Sequence, residues 1–146
     1  FIKHKTGWFD PMMTTGCSMG AYHAVNFFLQ HPDVFNKVIA LSGVYDARFF
    51  VGDCLDDEAI YQNSPADYIW NQNDGWFIDR YRNADIIVCT GLGAWEQDGL
   101  PSFYTLKEAF EHKNIPAWFA EWGYDVSHDW IWWRKQMPYF LSQLNL

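Results

Sequence analysis

Residues 16–20, with the sequence Gly-Cys-Ser-Met-Gly, have the type and spacing with the clearest chemical meaning in the chain. They fit the pattern G-x-S-x-G, in which a serine lies at a sharp turn from a strand into a helix with its hydroxyl exposed. Glycine is expected on both sides of the serine because a Cβ at either position would crowd the turn. A strand over residues 9–15 and a helix over residues 21–30 are predicted around it, so Ser18 is the candidate nucleophile.

A serine hydroxyl is a poor nucleophile near neutral pH and needs a general base, which a carboxylate in turn orients. His128 is the predicted base, since it follows the last predicted strand and precedes the closing helix. Residues that follow parallel strands meet at one edge of the sheet, which would bring His128 to Ser18. His23 is too close in sequence to fold back onto Ser18, and His31 is expected at the opposite end of the sheet.

The residues leave the choice of carboxylate open. Glu96 and Asp98 both lie in the loop after the strand predicted over residues 85–90, opposite the expected place of the base. Glu96 is favoured and Asp98 is the alternative acid. Asp46, after the strand predicted over residues 37–42, is a further candidate, and the other loop carboxylates are weaker ones.

Attack of a serine on a carbonyl group also requires hydrogen-bond donors for the developing oxyanion. The backbone N–H of Met19, directly after the candidate nucleophile and at the start of a helix, is predicted to supply one donor. The second donor usually comes from a loop upstream of the serine strand. Only 17 residues precede Ser18, so we expect the second donor to be missing from this chain.

Strands alternate with helices along the chain, which predicts a mostly parallel α/β sheet flanked by helices in a single domain over residues 1–146. The predicted strands cover residues 9–15, 37–42, 85–90 and 116–122, and the predicted helices cover residues 21–30, 101–113 and 130–144, the last kinked or interrupted near Pro138. Residues 44–83 do not continue this alternation of strands and helices, and they contain many acidic and aromatic side chains. They are predicted to form short helices and loops over the C-terminal ends of the strands, either as a lid-like insertion or as a solvated excursion.

Composition excludes several classes of protein. Apolar residues make up 49% and aromatic residues 20% of the 146 residues, which is typical of a folded domain with a core, and the apolar runs are too short for a transmembrane helix. The net charge of −8 argues against nucleic acids and anionic membranes as partners.

The three cysteines, Cys17, Cys54 and Cys89, are too few for a disulfide framework and lack zinc-site spacing, so no metal or cofactor is expected. This cysteine usage suits a reducing, cytoplasmic location.

Four stretches together carry a resemblance to a known family: residues 15–24, 40–46, 93–96 and 127–133. The chain resembles the putative-esterase branch of the α/β-hydrolases, which includes S-formylglutathione hydrolases, feruloyl and acetyl esterases and relatives of the mycolyltransferases. The resemblance implies an α/β-hydrolase fold with Ser18 as nucleophile, His128 as base and Glu96 as acid. It strengthens the choice of Glu96 as the acid, because mycolyltransferase-like members place a glutamate at this loop position. Other branches use aspartate, so Asp98 stays the alternative acid.

Family members have several strands before the nucleophile elbow, and their elbow strand is central in the sheet. In this chain the same strand would expose an unpaired edge, which is a liability in a free protein. We therefore expect the chain to be the C-terminal part of a longer enzyme, or a partner segment or second copy to cover that edge.

The leading interpretation is a serine ester hydrolase that acts through an acyl-enzyme on a small-molecule or sugar-linked ester. An acyltransferase or a thioesterase of the same fold would share the first chemical step, so the sequence does not separate them. The alternative from another class is a non-catalytic binding fragment of hydrolase fold, which the missing upstream strands favour.

Overall fold

The structure, a computed structural model, describes residues 1–52 and 57–144. Within these ranges one sheet has four parallel strands, which lie in the order of the chain: β1 (Met12–Cys17), β2 (Phe35–Leu41), β3 (Asp85–Thr90) and β4 (Trp118–Glu121). The helices are α1 (Ile2–Thr6), α2 (Met19–Gln30), α3 (Arg48–Val51), α4 (Asp57–Gln62), α5 (Pro65–Asn71), α6 (Gly75–Arg82), α7 (Leu100–His112) and α8 (Trp130–Leu141). The predicted class, a parallel sheet flanked by helices, is confirmed.

Both faces of the central strands are buried, as expected for a parallel sheet with helices on either side. In β2, Val38 and Ala40 join one apolar cluster, and Ile39 and Leu41 join a second one on the opposite face. The first cluster contains Phe28 of α2, Ile69 of α5, Tyr81 of α6 and Phe103 of α7, and the second contains Trp133 and Phe140 of α8. A fully buried side chain of this size contributes about 1.5–3 kcal/mol to folding. The two clusters therefore fix the sheet from both sides.

The first strand is displaced along the chain from its predicted position. It begins at Met12, whose N–H donates to the carbonyl of Val34 at 2.9 Å, and its pairing with β2 continues to Cys17 opposite Leu41. The prediction of residues 9–15 relied on the run of apolar side chains. The pairing with β2 decides the bounds instead and carries the strand to the residue before Ser18.

The last helix, predicted over residues 130–144, continues through Pro138 and ends at Leu141, so the predicted interruption near this proline is not observed, and the alternative of a kink stays a prediction. Phe140 is completely buried among residues of the second cluster. Burial of this one side chain in the final turn helps to offset the cost of a proline within the helix. No helix in the described part of the chain is long and apolar enough to cross a membrane.

The segment over residues 44–83 divides into two parts. Helices α5 and α6 belong to the core, since Ile69 and Tyr81 are completely buried. Helices α3 and α4 contain no buried residue. The lid-like role therefore stays a prediction, and within the described residues it concerns α3 and α4. Residues 53–56 of this segment, which include Cys54 and the acidic residues Asp53 and Asp56, lie outside the described residues.

Strand β1 lies at one edge of the sheet. It pairs with β2 on one side, and no other strand within residues 1–52 and 57–144 pairs with its second side. This is the arrangement from which the sequence analysis expected a covering segment or partner. Which of these covers the edge stays a prediction.

The two glycines of the G-x-S-x-G pattern have different structural roles. A Cβ on Gly16 would lie 2.2 Å from the backbone carbon of Gly20, whereas a Cβ on Gly20 would meet nothing within 4 Å. The expectation that both glycines are needed to avoid crowding is therefore wrong for Gly20. Only Gly16, at the end of β1, permits the close approach between the strand and the first turn of α2.

We predict opposite stability effects for the two alanine substitutions. Gly16→Ala forces the backbone of β1 and α2 apart and should lower the free energy of unfolding by about 2–4 kcal/mol, as other overpacked buried sites do. Gly20→Ala, a Gly-to-Ala change within a helix, should be neutral or raise it by about 0.4–1 kcal/mol. Urea denaturation of both variants beside the unmodified chain measures the difference. Equal losses of stability in both would contradict the asymmetry.

Candidate active site

The residues that follow β1 and β2 are held in register by the sheet itself. The N–H of Ser18 donates to the carbonyl of Leu41 at 2.9 Å, and the N–H of Ser42 donates to the carbonyl of Cys89 at 2.7 Å. These bonds extend the parallel ladders by one residue past each strand. Ser18 and Ser42 therefore lie at the same edge of the sheet, the edge where ligands collect in parallel α/β folds.

Backbone strain is concentrated at this edge. Of the four non-glycine residues with positive φ in the described part of the chain, three lie here: Ser18 with φ 55°, Ser42 with φ 55° and Trp95 with φ 68°. An L-residue in this region costs of order 1–3 kcal/mol and persists only where the surrounding structure imposes it. The surrounding structure thus holds these three residues in a strained backbone conformation, at a cost in stability, and this conformation sets the direction of their side chains.

Two loops are joined through their backbones and bring Glu96 and His128 together. The N–H of Gly93 donates to the carbonyl of Val126, and the N–H of His128 donates to the carbonyl of Ala94, both at 2.9 Å. A Cβ on Gly93 would lie 2.6 Å from the Val126 carbonyl oxygen. The loop after β3 can approach the loop after β4 this closely because position 93 is glycine.

Ser18, His128 and Glu96 form a continuous polar chain. The distance between Ser18 Oγ and His128 Nε2 is 2.8 Å, and the distance between His128 Nδ1 and Glu96 Oε2 is 3.4 Å. The arrangement suits the tautomer in which Nδ1–H faces the carboxyl group and Nε2 accepts from the serine hydroxyl. The second distance is long for a hydrogen bond.

The carboxyl group of Glu96 is almost fully enclosed, with 2% of the residue exposed. The hydroxyl of Ser42 donates to Glu96 Oε1 at 2.7 Å, and the hydroxyl of Thr90 lies 3.4 Å from Oε2. The indole N–H of Trp133 donates to Ser42 Oγ at 3.0 Å, and its ring packs edge-on against the His128 ring, with centroids 4.9 Å apart. One oxygen of Glu96 is therefore held by Ser42, while the other faces the histidine.

No role for Ser42 or Trp133 was predicted from the sequence. Both fall within stretches that carry the family resemblance, but a serine at the end of a strand and a tryptophan in an amphipathic helix are each ordinary features. The available signal was the position of Ser42 as the last residue of the strand predicted over residues 37–42, at the edge where Ser18 was expected. Its partner Glu96 lies 54 residues further along the chain, so only the folded structure brings the two together.

The structure does not bring the other candidate acids to His128. Asp98 is exposed and lines a separate depression together with Asp46 and Arg48. Asp46 accepts hydrogen bonds from the backbone and the guanidinium of Arg48, between 2.9 and 3.0 Å. Of the carboxyl groups weighed from the sequence, Glu96 is the one that contacts His128.

The backbone N–H of Met19 is the first of helix α2. The first N–H groups of a helix have no partner within the helix and lie at the positive end of its dipole. Met19 therefore has an N–H, next to Ser18, that is suited to a developing negative charge.

The two cysteines in the described residues show no sign of activation. Burial raises the pKa of the Cys89 thiol strongly, and the charge of Glu96 raises it further. Burial also raises the pKa of the Cys17 thiol. Both groups are therefore neutral thiols near pH 7, which suits packing. Within residues 1–52 and 57–144 no three His, Cys, Asp or Glu side chains are grouped so that they could hold a metal ion.

Comparison with known proteins assigns the chain to a family. The sequence matches the family described as putative esterase over residues 2–144. No match was found among curated proteins.

Solved structures share the fold. A ferulic acid esterase is 22% identical, with a TM-score of 0.68 over 87% of this chain and 47% of its own. An S-formylglutathione hydrolase from Agrobacterium tumefaciens is 15% identical, with a TM-score of 0.72 over 88% of this chain and 46% of its own. The fluorophosphonate-binding serine hydrolase F of Staphylococcus aureus is 21% identical, with a TM-score of 0.63 over 90% of this chain and 52% of its own. The chain thus spans about half the length of these proteins. It belongs to the putative-esterase family, whose model matches nearly all of it.

Proposed function

We propose that this chain carries the reacting groups of a serine ester hydrolase. Ser18 is the nucleophile, His128 is the general base and Glu96 orients the histidine. The observation that carries the proposal is the 2.8 Å distance from Ser18 Oγ to His128 Nε2, with Nδ1 of the same ring turned to the buried carboxyl group of Glu96. Membership of the putative-esterase family supports the choice of an ester as substrate.

The first half of the proposed reaction forms an acyl-enzyme. Ser18 Oγ attacks the ester carbonyl carbon while its proton passes to His128 Nε2, and the oxyanion that results accepts a hydrogen bond from the N–H of Met19. The carbon–oxygen bond to the alcohol then breaks. His128 returns the proton to the departing oxygen, so an alcohol is released and the acyl group stays on Ser18.

The second half of the reaction uses water. His128 takes a proton from a water molecule, whose oxygen attacks the acyl carbon, and the bond to Ser18 Oγ breaks as the proton returns to that oxygen. The products are a carboxylic acid and the regenerated serine. Glu96 stays a carboxylate throughout and stabilises the imidazolium that forms in each half.

A fluorophosphonate probe tests whether the site assembles. We expect the probe to modify Ser18 and no other serine, because Ser18 Oγ lies 2.8 Å from the His128 imidazole, whereas Ser42, which lies beside the Glu96 carboxyl group, is buried. Intact-mass and peptide mass spectrometry locate the adduct. The probe suits this family, since a Staphylococcus aureus hydrolase of similar fold is named for binding fluorophosphonates.

Matched variants make the labelling experiment specific. Ser18→Ala should abolish labelling, His128→Ala should slow it at least about 10³-fold and Glu96→Gln about 10²–10⁴-fold, as losses of such groups do in other serine hydrolases. Asp98→Asn should label at the unmodified rate. A folded chain that is not labelled at Ser18 would support the non-catalytic alternative, and slow labelling of Asp98→Asn would revive Asp98 as the acid.

We also predict a positioning role for Ser42. Its hydroxyl holds Glu96 Oε1, so Ser42→Ala should lower the rate of Ser18 labelling or kcat for ester hydrolysis about tenfold, which corresponds to the loss of one hydrogen bond to a charged group. KM should change little, because Ser42 is buried beneath the site and does not reach substrate.

Ser42→Gly separates the hydroxyl from the backbone at this position. Glycine accepts a φ of 55° without strain, so it removes the hydroxyl and relieves the backbone cost together. If the hydroxyl positions Glu96, kcat should fall by the same factor in the alanine and the glycine variants. Recovery of the rate in Ser42→Gly would assign the effect to backbone strain and overturn the positioning role.

A further inference from the structure

An apolar cavity of about 400 Å³ opens beside the candidate nucleophile. Its wall begins at Met19, the residue after Ser18, and continues along α2 to Tyr22 and His23. The other side of the cavity is formed by α3 and α4 with their flanking residues, including Phe50, Val51 and Ile60. The volume falls within the roughly 300–1,000 Å³ typical of small-molecule sites.

Two of the three polar side chains of the lining, Tyr22 and Asn63, form hydrogen bonds within the protein, and the third, His23, is exposed and packs its ring against Tyr22 and Phe27. The hydroxyl of Tyr22 donates to the carbonyl of Asn63 at 2.8 Å. The side-chain amide of Asn63 donates to the carbonyl of Ala59 at 3.0 Å and accepts from the amide of Asn26 at 3.1 Å. A ligand with many hydroxyl groups would have to break these bonds, whereas an apolar ligand would leave them intact.

Apolar side chains of the lining are also left uncovered. Met19, Phe50 and Val51 expose 54%, 37% and 43% of their surface. Covering such surface with an apolar group is favourable, at roughly 25 cal/mol per Å² removed from water. The cavity therefore fits a hydrocarbon chain or an aromatic ring rather than a sugar.

The chemistry at Ser18 decides which half of an ester enters this cavity. In the proposed mechanism His128 must protonate the departing alcohol, so the alcohol lies on the histidine side of Ser18. That side is formed by the loops after β3 and β4 and by α8, and none of these contributes to the cavity lining. The acyl group, which stays on Ser18, therefore extends to the opposite side of Ser18, where Met19 lies.

We propose that this cavity is the acyl-binding site and that the enzyme prefers esters of apolar carboxylic acids with about six or more carbons or an aromatic ring to esters of shorter acids. A methylene occupies about the same volume as a water molecule in the liquid, about 30 Å³, so a hexanoyl chain fills roughly half of the cavity. The assignment rests on the proposed hydrolase function, because it takes Ser18 as the acylated residue.

The test compares p-nitrophenyl acetate, butyrate and hexanoate at constant leaving group. Burial of each added methylene should raise kcat/KM by up to about fourfold, so we expect hexanoate to exceed acetate by at least about tenfold. Val51→Asp, which places a carboxylate in the wall, and Ala59→Phe, which fills the cavity, should both reduce this ratio to about threefold or less. Val51 and Ala59 are exposed, so both variants should fold.

Ile131→Asp is the matched control. It makes the same kind of change at an exposed apolar side chain on α8, on the histidine side of the site. The hexanoate-to-acetate ratio should stay at the unmodified value. A ratio that falls equally in Val51→Asp and Ile131→Asp would overturn the assignment of the acyl side.

A binding measurement separates this inference from the proposed function. In Ser18→Ala, which cannot be acylated, p-nitrophenyl hexanoate should shift the ¹³C-methyl NMR signals of Met19, Val51 and Ile60, and the acetate should not. Hydrolysis without acyl-length preference, or an absence of these shifts, overturns the acyl site and leaves the hydrolase intact. Absence of Ser18 labelling overturns the hydrolase, and the methyl shifts then decide independently whether the cavity takes an apolar acyl group.

Discussion

The enclosed carboxyl group of Glu96 is the constraint on which the candidate site depends. A buried carboxyl group is costly unless hydrogen bonds replace those it loses to water. Ser42 supplies one donor from the end of β2, and His128 approaches from the loop after β4. The same contacts that lower the cost of burial fix the orientation of the histidine. Stability and proposed chemistry are thus served by one set of interactions.

The sheet makes this arrangement possible through its parallel register. Cys17, Leu41 and Cys89 lie opposite one another in adjacent strands, so the residues that follow β1, β2 and β3 emerge at one edge. Helices on both faces hold the strands in this register. Side chains that are far apart in sequence, such as Ser18 and His128, can then meet at 2.8 Å without a long loop from either.

Much of this arrangement could be predicted from the sequence. The parts that could not be predicted were missed for physical reasons. The bounds of β3 agree with the prediction because its apolar run coincides with its paired residues, whereas β1 moved because pairing overrode its apolar pattern. The proximity of Glu96 and His128 followed from their positions after strands. The roles of Ser42 and of the cavity beside Met19 depend on contacts between distant segments, which no local pattern encodes.

The backbone bonds between the loops after β3 and β4 have a further consequence for how such a site can diversify. The backbone of His128 is placed by the hydrogen bond from its own N–H to the carbonyl of Ala94, and Glu96 then orients its ring. Outward-facing positions of the same loops, such as Trp95 and Tyr124 with 81% and 85% exposure, carry no share of that bonding. Mutation can therefore reshape the rim of the candidate site while Ser18, His128 and Glu96 keep their arrangement, so that ligand selectivity could evolve separately from the polar chain.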